Sequence, residues 1–198
     1  MSALKDSSIR DGVRRAYSVA AEDPQSPHPF PVGRKFAESL GYPRDLLRGL
    51  PPVSVEVFAG VSNVALFADI PSGATVLDLG CGGGLDAIIA ARRTGSNGKV
   101  ICVDFSQAML DRAKQGAAEA GARNVEFHLA DAERFPVNDE SVDIALVNGI
   151  FNLNPARDGI FRELARVVRP GGMVFGAELI LREALASEVG GDPANWFA

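Results

Sequence analysis

Hydrophobic and polar positions change their spacing near residue 75 of this 198-residue chain. From there onward, short apolar runs rich in β-branched residues alternate with longer alanine-rich stretches, a pattern typical of a parallel α/β sheet. Strands are predicted at residues 75–79, 99–103, 125–129, 142–147 and 172–179, and a Pro170-Gly171-Gly172 turn leads into the last one. Helices are predicted at residues 84–94, 106–120 and 157–168, with Ser106 as an N-cap and Gly121 as a C-terminal stop.

The chain before residue 53 lacks this alternation. Four prolines between residues 24 and 31 exclude a continuous helix or a central strand, because each one removes a backbone donor and fixes φ. Short helices are predicted on either side at residues 9–20 and 34–40, and another at residues 62–68. We therefore expect residues 1–52 to form a helical and loop cap over the active site of a domain that spans residues 53–198.

The segment from Val76 to Gly84 joins an apolar strand to a glycine-rich turn. Glycines let the backbone approach a ligand closely, and the helix that follows offers free N–H groups. Asp78 precedes the first glycine by two residues, where its negative charge would repel a pyrophosphate. The G-x-G-x-x-G spacing of dinucleotide sites also fails, since Leu85 stands at the third glycine position. This turn suits a cationic ligand that carries an adenosine and no phosphate, with helix capping as the alternative role for Asp78.

At this point the chain resembles the class I S-adenosylmethionine-dependent methyltransferases, whose first motif is similar to residues 76–84. The resemblance implies a Rossmann-like fold of sheet order 3-2-1-4-5, with helices on both faces and S-adenosylmethionine as the cofactor. It implies cofactor contacts in this turn from Asp78, Gly80, Cys81 and Gly82, with Cys81 contributing its backbone alone.

Polar residues at three further strand ends extend the predicted site. Asp104 ends the second strand, where a carboxylate accepts hydrogen bonds from both ribose hydroxyls. The resemblance places Asp131 and Ala132 at the adenine base. It places Asn148, at the end of the fourth strand, beside the methionine portion of the cofactor and the substrate pocket.

Apolar and N-terminal residues complete the candidate site. Phe105 and Met109 form a wall for the adenine or, alternatively, pack as ordinary core residues. Tyr17, His28 and Gly149 are candidate substrate contacts, and ordinary surface positions are the alternative for the first two. In-line methyl transfer requires alignment of two atoms and exclusion of water, so no catalytic base is assigned.

From residue 53 to residue 181 the chain is similar to the branch of arsenite methyltransferases and of ubiquinone and menaquinone biosynthesis methyltransferases. The similarity rests on residues 142–148, 152–155 and 163–172. As(III) is captured by several thiolates, whereas this chain has two cysteines, and Gly149 stands where the arsenite enzymes carry a cysteine. We therefore expect another small-molecule acceptor. DNA amino-methylation is disfavoured as well, because no Asn/Asp-Pro-Pro-aromatic motif follows the fourth strand.

Composition limits the partners and the location. A net charge of -5 disfavours a nucleic-acid substrate. Two cysteines supply neither a disulfide framework nor a metal site, which favours a reducing cytoplasm. The chain shows no leader and no apolar run of about 20 residues, so stable membrane insertion is not expected.

Only residues 182–198 follow the fifth predicted strand and its turn. The resemblance implies a further helix and final antiparallel strands, which we expect to be missing, and an uncovered edge strand would favour a homodimer. Two alternatives to a methyltransferase stay open. One is a methyltransferase-like module that binds a cofactor or a partner without turnover. The other, more remote alternative is an NAD-dependent oxidoreductase, against which the charge of Asp78 and the failed glycine spacing at Leu85 both argue.

Overall fold

A computed structural model describes residues 2–180, with side chains described from residue 7 onward. The strands are β1 Thr75–Leu79, β2 Lys99–Asp104, β3 Val125–Leu129, β4 Val142–Asn148 and β5 Val168–Ala177. They form one sheet of order β3-β2-β1-β4-β5 in which neighbouring strands are parallel, so the predicted order is confirmed. The order reverses between β1 and β4, which is the position where ligands bind in open α/β sheets.

The helices in the described part of the chain are α1 Ser2–Glu22, α2 Arg34–Ser39, α3 Arg44–Arg48, α4 Pro52–Val55, α5 Val64–Phe67, α6 Leu85–Thr94, α7 Gln107–Glu119 and α8 Arg157–Val167. The last three match the predicted helices to within one residue at each end. Ser106 is confirmed as an N-cap, because its hydroxyl accepts a hydrogen bond of 3.3 Å from the backbone N–H of Met109.

The helix predicted at residues 34–40 is confirmed as α2, whereas the other N-terminal helices depart from their predictions. The helix predicted at residues 9–20 begins at Ser2 and ends at Glu22, because its sequence contains no proline and Pro24 follows it. The helix predicted at residues 62–68 is shortened to α5. The helices α3 and α4 were not predicted, and each follows a proline that fixes the backbone just before the first turn.

The prediction for the start of the fifth strand was wrong. β5 begins at Val168, which pairs with Val142, and the next pair joins Met173 to Ile144. The Pro-Gly-Gly segment is therefore an irregular bulge within the strand, since proline has no N–H for the ladder and Gly171 has a φ of 83°. Among the described residues, β5 has a strand partner on one side only, and the homodimer through this edge stays a prediction.

Apolar side chains cover both faces of the sheet. Along β1, Val76 faces a cluster with α6, whereas Leu77 faces a cluster with α8. The first cluster also contains Tyr42 and Leu47, which are 2% and 0% exposed. The N-terminal segment thus shares the core of the sheet, and the division of the chain at residue 52 stays a prediction.

Two further expectations concern membranes and the C-terminal end. Within residues 2–180, no helix is both long and apolar enough to cross a bilayer. The expectation that the final strands are missing concerns residues 182–198, which lie outside the described residues.

Candidate functional site

A cavity opens at the carboxyl edge of the sheet, above the switch point between β1 and β4. The space between its lining atoms amounts to about 1040 Å³, a figure that includes space open to solvent. Every residue predicted for the site except His28 lines this cavity: Tyr17, Asp78, Gly80, Cys81, Gly82, Asp104, Phe105, Met109, Asp131, Ala132, Asn148 and Gly149. The roles assigned to these residues stay predictions, but the fold brings them together.

The glycine turn after β1 forms the floor of the cavity. Gly80 has a φ of 75°, and a Cβ there would lie 2.4 Å from Cγ2 of Ile150, so no larger residue fits. Gly82 also has a positive φ, of 51°, but a Cβ there would meet no atom within 4 Å. Gly82 therefore leaves open space for a ligand beside its backbone.

Asp78, at the end of β1, is a buried carboxylate without a counter-charge among the described side chains. Its side chain is 2% exposed, and its Oδ2 atom has no hydrogen-bond partner among the described residues. Burial raises the pKa of Asp78 well above its ordinary value, and the charges of Asp86 and Asp104 raise it further, against a backbone hydrogen bond from Ala87. An unpaired buried charge costs several kcal/mol, so this oxygen is a favourable place for a cation.

Asp104, at the end of β2, is held by the backbone. The Gly82 N–H donates to its Oδ2 at 2.8 Å, and the Ser106 N–H donates to its Oδ1 at 2.8 Å. Burial raises the pKa of Asp104 to about 6, and these backbone hydrogen bonds oppose that rise. A carboxylate has about four lone-pair positions, so Asp104 can still accept a hydrogen bond from a ligand hydroxyl.

A second buried carboxylate, Asp86 on α6, forms a polar hub beside Asp78. It accepts a hydrogen bond from the Tyr42 hydroxyl and another, of 2.9 Å, from the Asn148 amide. The carbonyl oxygen of Asn148 in turn accepts hydrogen bonds from the Val61 and Ser62 N–H groups, at 2.8 and 3.1 Å. Asn148 thus lines the cavity where predicted, but its amide holds the loop around residue 61 in place.

The two residues of the predicted adenine wall differ in their exposure. Met109 is 1% exposed and packs with Val57 and Ala20, so it has the contacts of a core residue. Phe105 is half-buried, and the Arg14 guanidinium lies 5.3 Å from its ring centroid. Asp131 is 50% exposed at the rim, and its carboxylate pairs with Arg14 at 3.2 Å.

The cysteine of the glycine turn is chemically quiet. The Cys81 and Cys102 thiols are both free and buried, and they belong to one core cluster. A hydrogen bond with Cys102, together with burial, raises the pKa of Cys81. Both side chains therefore remain protonated thiols, which are poor nucleophiles.

The three candidate substrate contacts have different surroundings. Tyr17 lines the cavity and stacks on Phe30 at a centroid distance of 4.4 Å, and burial raises its pKa, so its hydroxyl keeps its proton. Gly149 lines the cavity with a φ of 80°. His28 does not line it, because its ring bonds at 3.0 Å to the backbone oxygen of Asp23 within the proline-rich loop.

Several residues of the site were not predicted from the sequence. Arg10, Asp86 and Glu133 line the cavity, and Arg14 contacts its rim. Asp86 offered a weak signal, since an acidic residue in the first turn of a helix has a ready explanation in the helix dipole. The arginines offered none, because Arg10 and Arg14 on a polar helix look like solvent-facing residues.

The parallel sheet, the glycine turn and the acidic strand ends define a Rossmann-like protein of the class I methyltransferase type. A family profile described as a methyltransferase domain matches residues 70–196. The chain therefore belongs to this methyltransferase-domain family.

Individual relatives agree with this assignment. The chain is 36% identical over 157 residues to an arsenite methyltransferase from Halobacterium salinarum, a match that covers 79% of this chain and 40% of that protein. It is 34% identical over 103 residues to a demethylmenaquinone methyltransferase from Lactococcus lactis, covering 52% of this chain and 41% of that protein. The chain thus spans about two fifths of the length of these curated relatives.

Solved structures show the same fold. An arsenic(III) S-adenosylmethionine methyltransferase from Chlamydomonas reinhardtii superposes with a TM-score of 0.61 at 28% identity, covering 78% of this chain and 51% of that one. The [4+2]-cyclase SpnF superposes with a TM-score of 0.55 at 31% identity, covering 61% and 44%. The predicted fold class and the resemblance to the arsenite and menaquinone branch are confirmed.

Proposed function

We propose that the protein is an S-adenosylmethionine-dependent methyltransferase that transfers a methyl group in line to a small-molecule acceptor and releases S-adenosylhomocysteine. The observation that carries the proposal is the unpartnered Oδ2 of Asp78, buried in a cavity at the switch point of the sheet. The oxygen lacks a counter-charge among the described residues, and a ligand with an ammonium and a sulfonium supplies one. A pyrophosphate ligand would add negative charge to the same place.

The residues of the cavity fit this cofactor. Asp78 would hold its cationic end, and Asp104 would accept hydrogen bonds from the ribose hydroxyls with its free lone pairs. Phe105 would pack on the adenine, and Asp131 would accept a hydrogen bond from the adenine amino group. When bound, the cofactor supplies an activated methyl group on a positively charged sulfur.

The remaining work of the chain is to orient the acceptor and to exclude water. In this proposal residues 1–52 form the cap, since α1 crosses the cavity and presents Val13 and Tyr17 to it. Val57, Phe58 and Leu153 add apolar surface, which favours a largely apolar acceptor. Tyr17 keeps its proton, so it acts as a hydrogen-bond donor to the acceptor and not as a base.

The acceptor is proposed to be a molecule other than arsenite, although two of the relatives are named as arsenite methyltransferases. Capture of As(III) requires accessible thiolates. The two cysteines of this chain are buried, and their raised pKa values keep them as thiols. Gly149 stands at the position where the arsenite enzymes carry a cysteine. Phenols, quinols and amines are the classes to test first.

Calorimetric titration with S-adenosylmethionine and with NAD tests the cofactor. The acceptor is tested by measuring formation of S-adenosylhomocysteine when phenols, quinols, amines and arsenite are each added with S-adenosylmethionine. We expect binding of S-adenosylmethionine, no binding of NAD, and turnover on a neutral organic acceptor. Binding of NAD without S-adenosylmethionine would refute the proposal, and turnover of arsenite alone would refute the acceptor class.

A second candidate is a module that binds the cofactor and transfers nothing. It is favoured by the likeness to SpnF, which is named as a [4+2]-cyclase and not as a methyltransferase. Tight binding of S-adenosylmethionine with no release of S-adenosylhomocysteine on any acceptor of the panel would favour this candidate.

A further inference from the structure

One face of α1 is bonded to the turns that follow β2 and β3. Arg10 pairs with Glu133 at 2.5 Å, Arg14 pairs with Asp131 at 3.2 Å, and the Ser18 hydroxyl lies 2.8 Å from that of Ser106. Arg10, Arg14 and Ser18 are four residues apart, so they lie along one face of the helix. The helix therefore crosses the outer rim of the cavity like a strap.

Arg14 contacts two of the residues that are predicted to meet the adenine base, Asp131 and Phe105. Its Nη2 atom donates to Asp131 Oδ1, and its guanidinium lies 5.3 Å from the centroid of the Phe105 ring. Asp131 and Phe105 are far apart along the chain and follow different strands, so Arg14 fixes their relative position. Arg14 also pairs with Asp11 on its own helix, but the distance of 3.9 Å makes this ion pair weaker than the one with Asp131.

These contacts are better suited to positioning than to folding. The Arg14 and Asp131 side chains are 45% and 50% exposed, and ion pairs with that exposure contribute little to stability because water screens them. Holding a carboxylate in its bound orientation, however, removes an entropic cost from ligand binding. Asp131 can also accept from the adenine amino group while it pairs with Arg14, since each carboxylate oxygen has two lone pairs.

We propose that Arg14 is a positioning residue that holds the Asp131 carboxylate and the Phe105 ring in the arrangement that receives the adenine base. The inference rests on the proposed function, because it assumes an adenosine ligand. It assigns to α1 a role in selecting the purine, beyond its role as a cover. Arg10, through Glu133, holds the same turn two residues further on.

The test compares two probes that differ at purine position 6, S-adenosylhomocysteine and S-inosylhomocysteine, in calorimetric titrations of the full chain and its variants. The unmodified chain is expected to prefer the adenosyl probe. Arg14→Met is expected to weaken binding of that probe by about five- to tenfold and to reduce the preference between the two probes. Arg15→Met is the matched control, because Arg15 is exposed, is its neighbour on α1 and carries the same charge.

Asp131→Asn supplies a second, independent variant in the same titrations. Because the amide adds a donor where an acceptor is needed, the preference of Asp131→Asn for the adenosyl probe is expected to fall as well. In the double variant, Arg14→Met is expected to change this preference less than it does in the otherwise unmodified chain. A preference in Arg14→Met equal to that in Arg15→Met, with both variants folded by circular dichroism, would overturn the inference. Failure of the unmodified chain to bind either probe would instead overturn the proposed function.

Discussion

Strands β1 and β2 each carry a buried aspartate at their carboxyl end, yet the hydrogen bonds of the two carboxylates differ. Asp104 has a backbone N–H on each oxygen, from Gly82 and Ser106, whereas the Oδ2 atom of Asp78 has no hydrogen-bond partner within the described part of the chain. The first arrangement stabilises a carboxylate before any ligand arrives. The second leaves a carboxyl whose negative charge must be neutralised, by a proton when no ligand is bound or by the positive charge of a ligand. The comparison separates a prearranged hydrogen-bonding site from a site that depends on a cation.

The largest effect is expected from removing the prearranged carboxylate. Asp104→Ala leaves the Gly82 and Ser106 N–H groups without an acceptor and removes the proposed ribose contact. We expect a loss on the order of 1.5 to 3 kcal/mol in S-adenosylmethionine binding, by titration calorimetry, together with a lower melting temperature. Asp69→Ala, at an exposed position, is the control. Unchanged affinity would refute the ribose role of Asp104.

A smaller effect is expected at the carboxylate beside Asp78. Tyr42→Phe removes the hydroxyl that donates to Asp86, which is 6% exposed. We expect the free energy of unfolding to fall by about 1 to 2 kcal/mol, measured by urea denaturation. Tyr17→Phe makes the same chemical change at a hydroxyl without a hydrogen-bond partner among the described residues, so it should leave stability unchanged. Equal free energies of unfolding in the two variants would show that the hydrogen bond from Tyr42 to Asp86 does not stabilise the fold.

The position of these groups shows what sequence can and cannot predict. Strand β1 was predicted to the residue, because a β-branched and apolar run ends at glycines. Asp78 and Asp104 were predicted as site residues, because strand ends converge at one edge of a parallel sheet. Tyr42 was not, because its partner Asp86 lies 44 residues away and no local pattern connects them.

The errors also have physical causes. The bulge in β5 was predicted as a turn, since Pro-Gly-Gly segments break strands far more often than they are absorbed into one. The ion pairs that join α1 to the rim of the cavity were missed, because Arg10 and Arg14 pair with groups that only the fold brings near. His28 lies outside the cavity because the proline-rich loop turns its ring toward its own backbone.

The smallest effect is expected from pH, and it distinguishes folding from binding. The pKa of Asp104 is raised from its ordinary value of 3.8 to about 6, so the folded state binds a proton more readily than the unfolded state. Protonation of Asp104 therefore stabilises the folded state. This contribution is fully present below the pKa of Asp104 in the unfolded chain and is lost as pH rises through its folded pKa of about 6. Asp78 is shifted in the same direction.

Thermal melts of the ligand-free protein should therefore show stability falling by about 1 kcal/mol between roughly pH 5 and pH 7. Affinity for S-adenosylmethionine should rise over the same range, because the carboxylate forms are the ones that bind. The lowered pKa values of Glu126 and Asp143 act at more acidic pH and do not obscure this window. Stability that rises with pH, or affinity that falls, would contradict the account.

The central claim is that Asp78 destabilises the ligand-free protein and is kept for a cation. Asp78→Asn tests it most directly, because the amide has the same shape and carries no charge into the unpartnered position. We predict that thermal unfolding of this variant shows a higher melting temperature than the unmodified chain without ligand, and a much smaller increase on addition of S-adenosylmethionine. A lower melting temperature without ligand, combined with an undiminished increase on addition of S-adenosylmethionine, would contradict the claim.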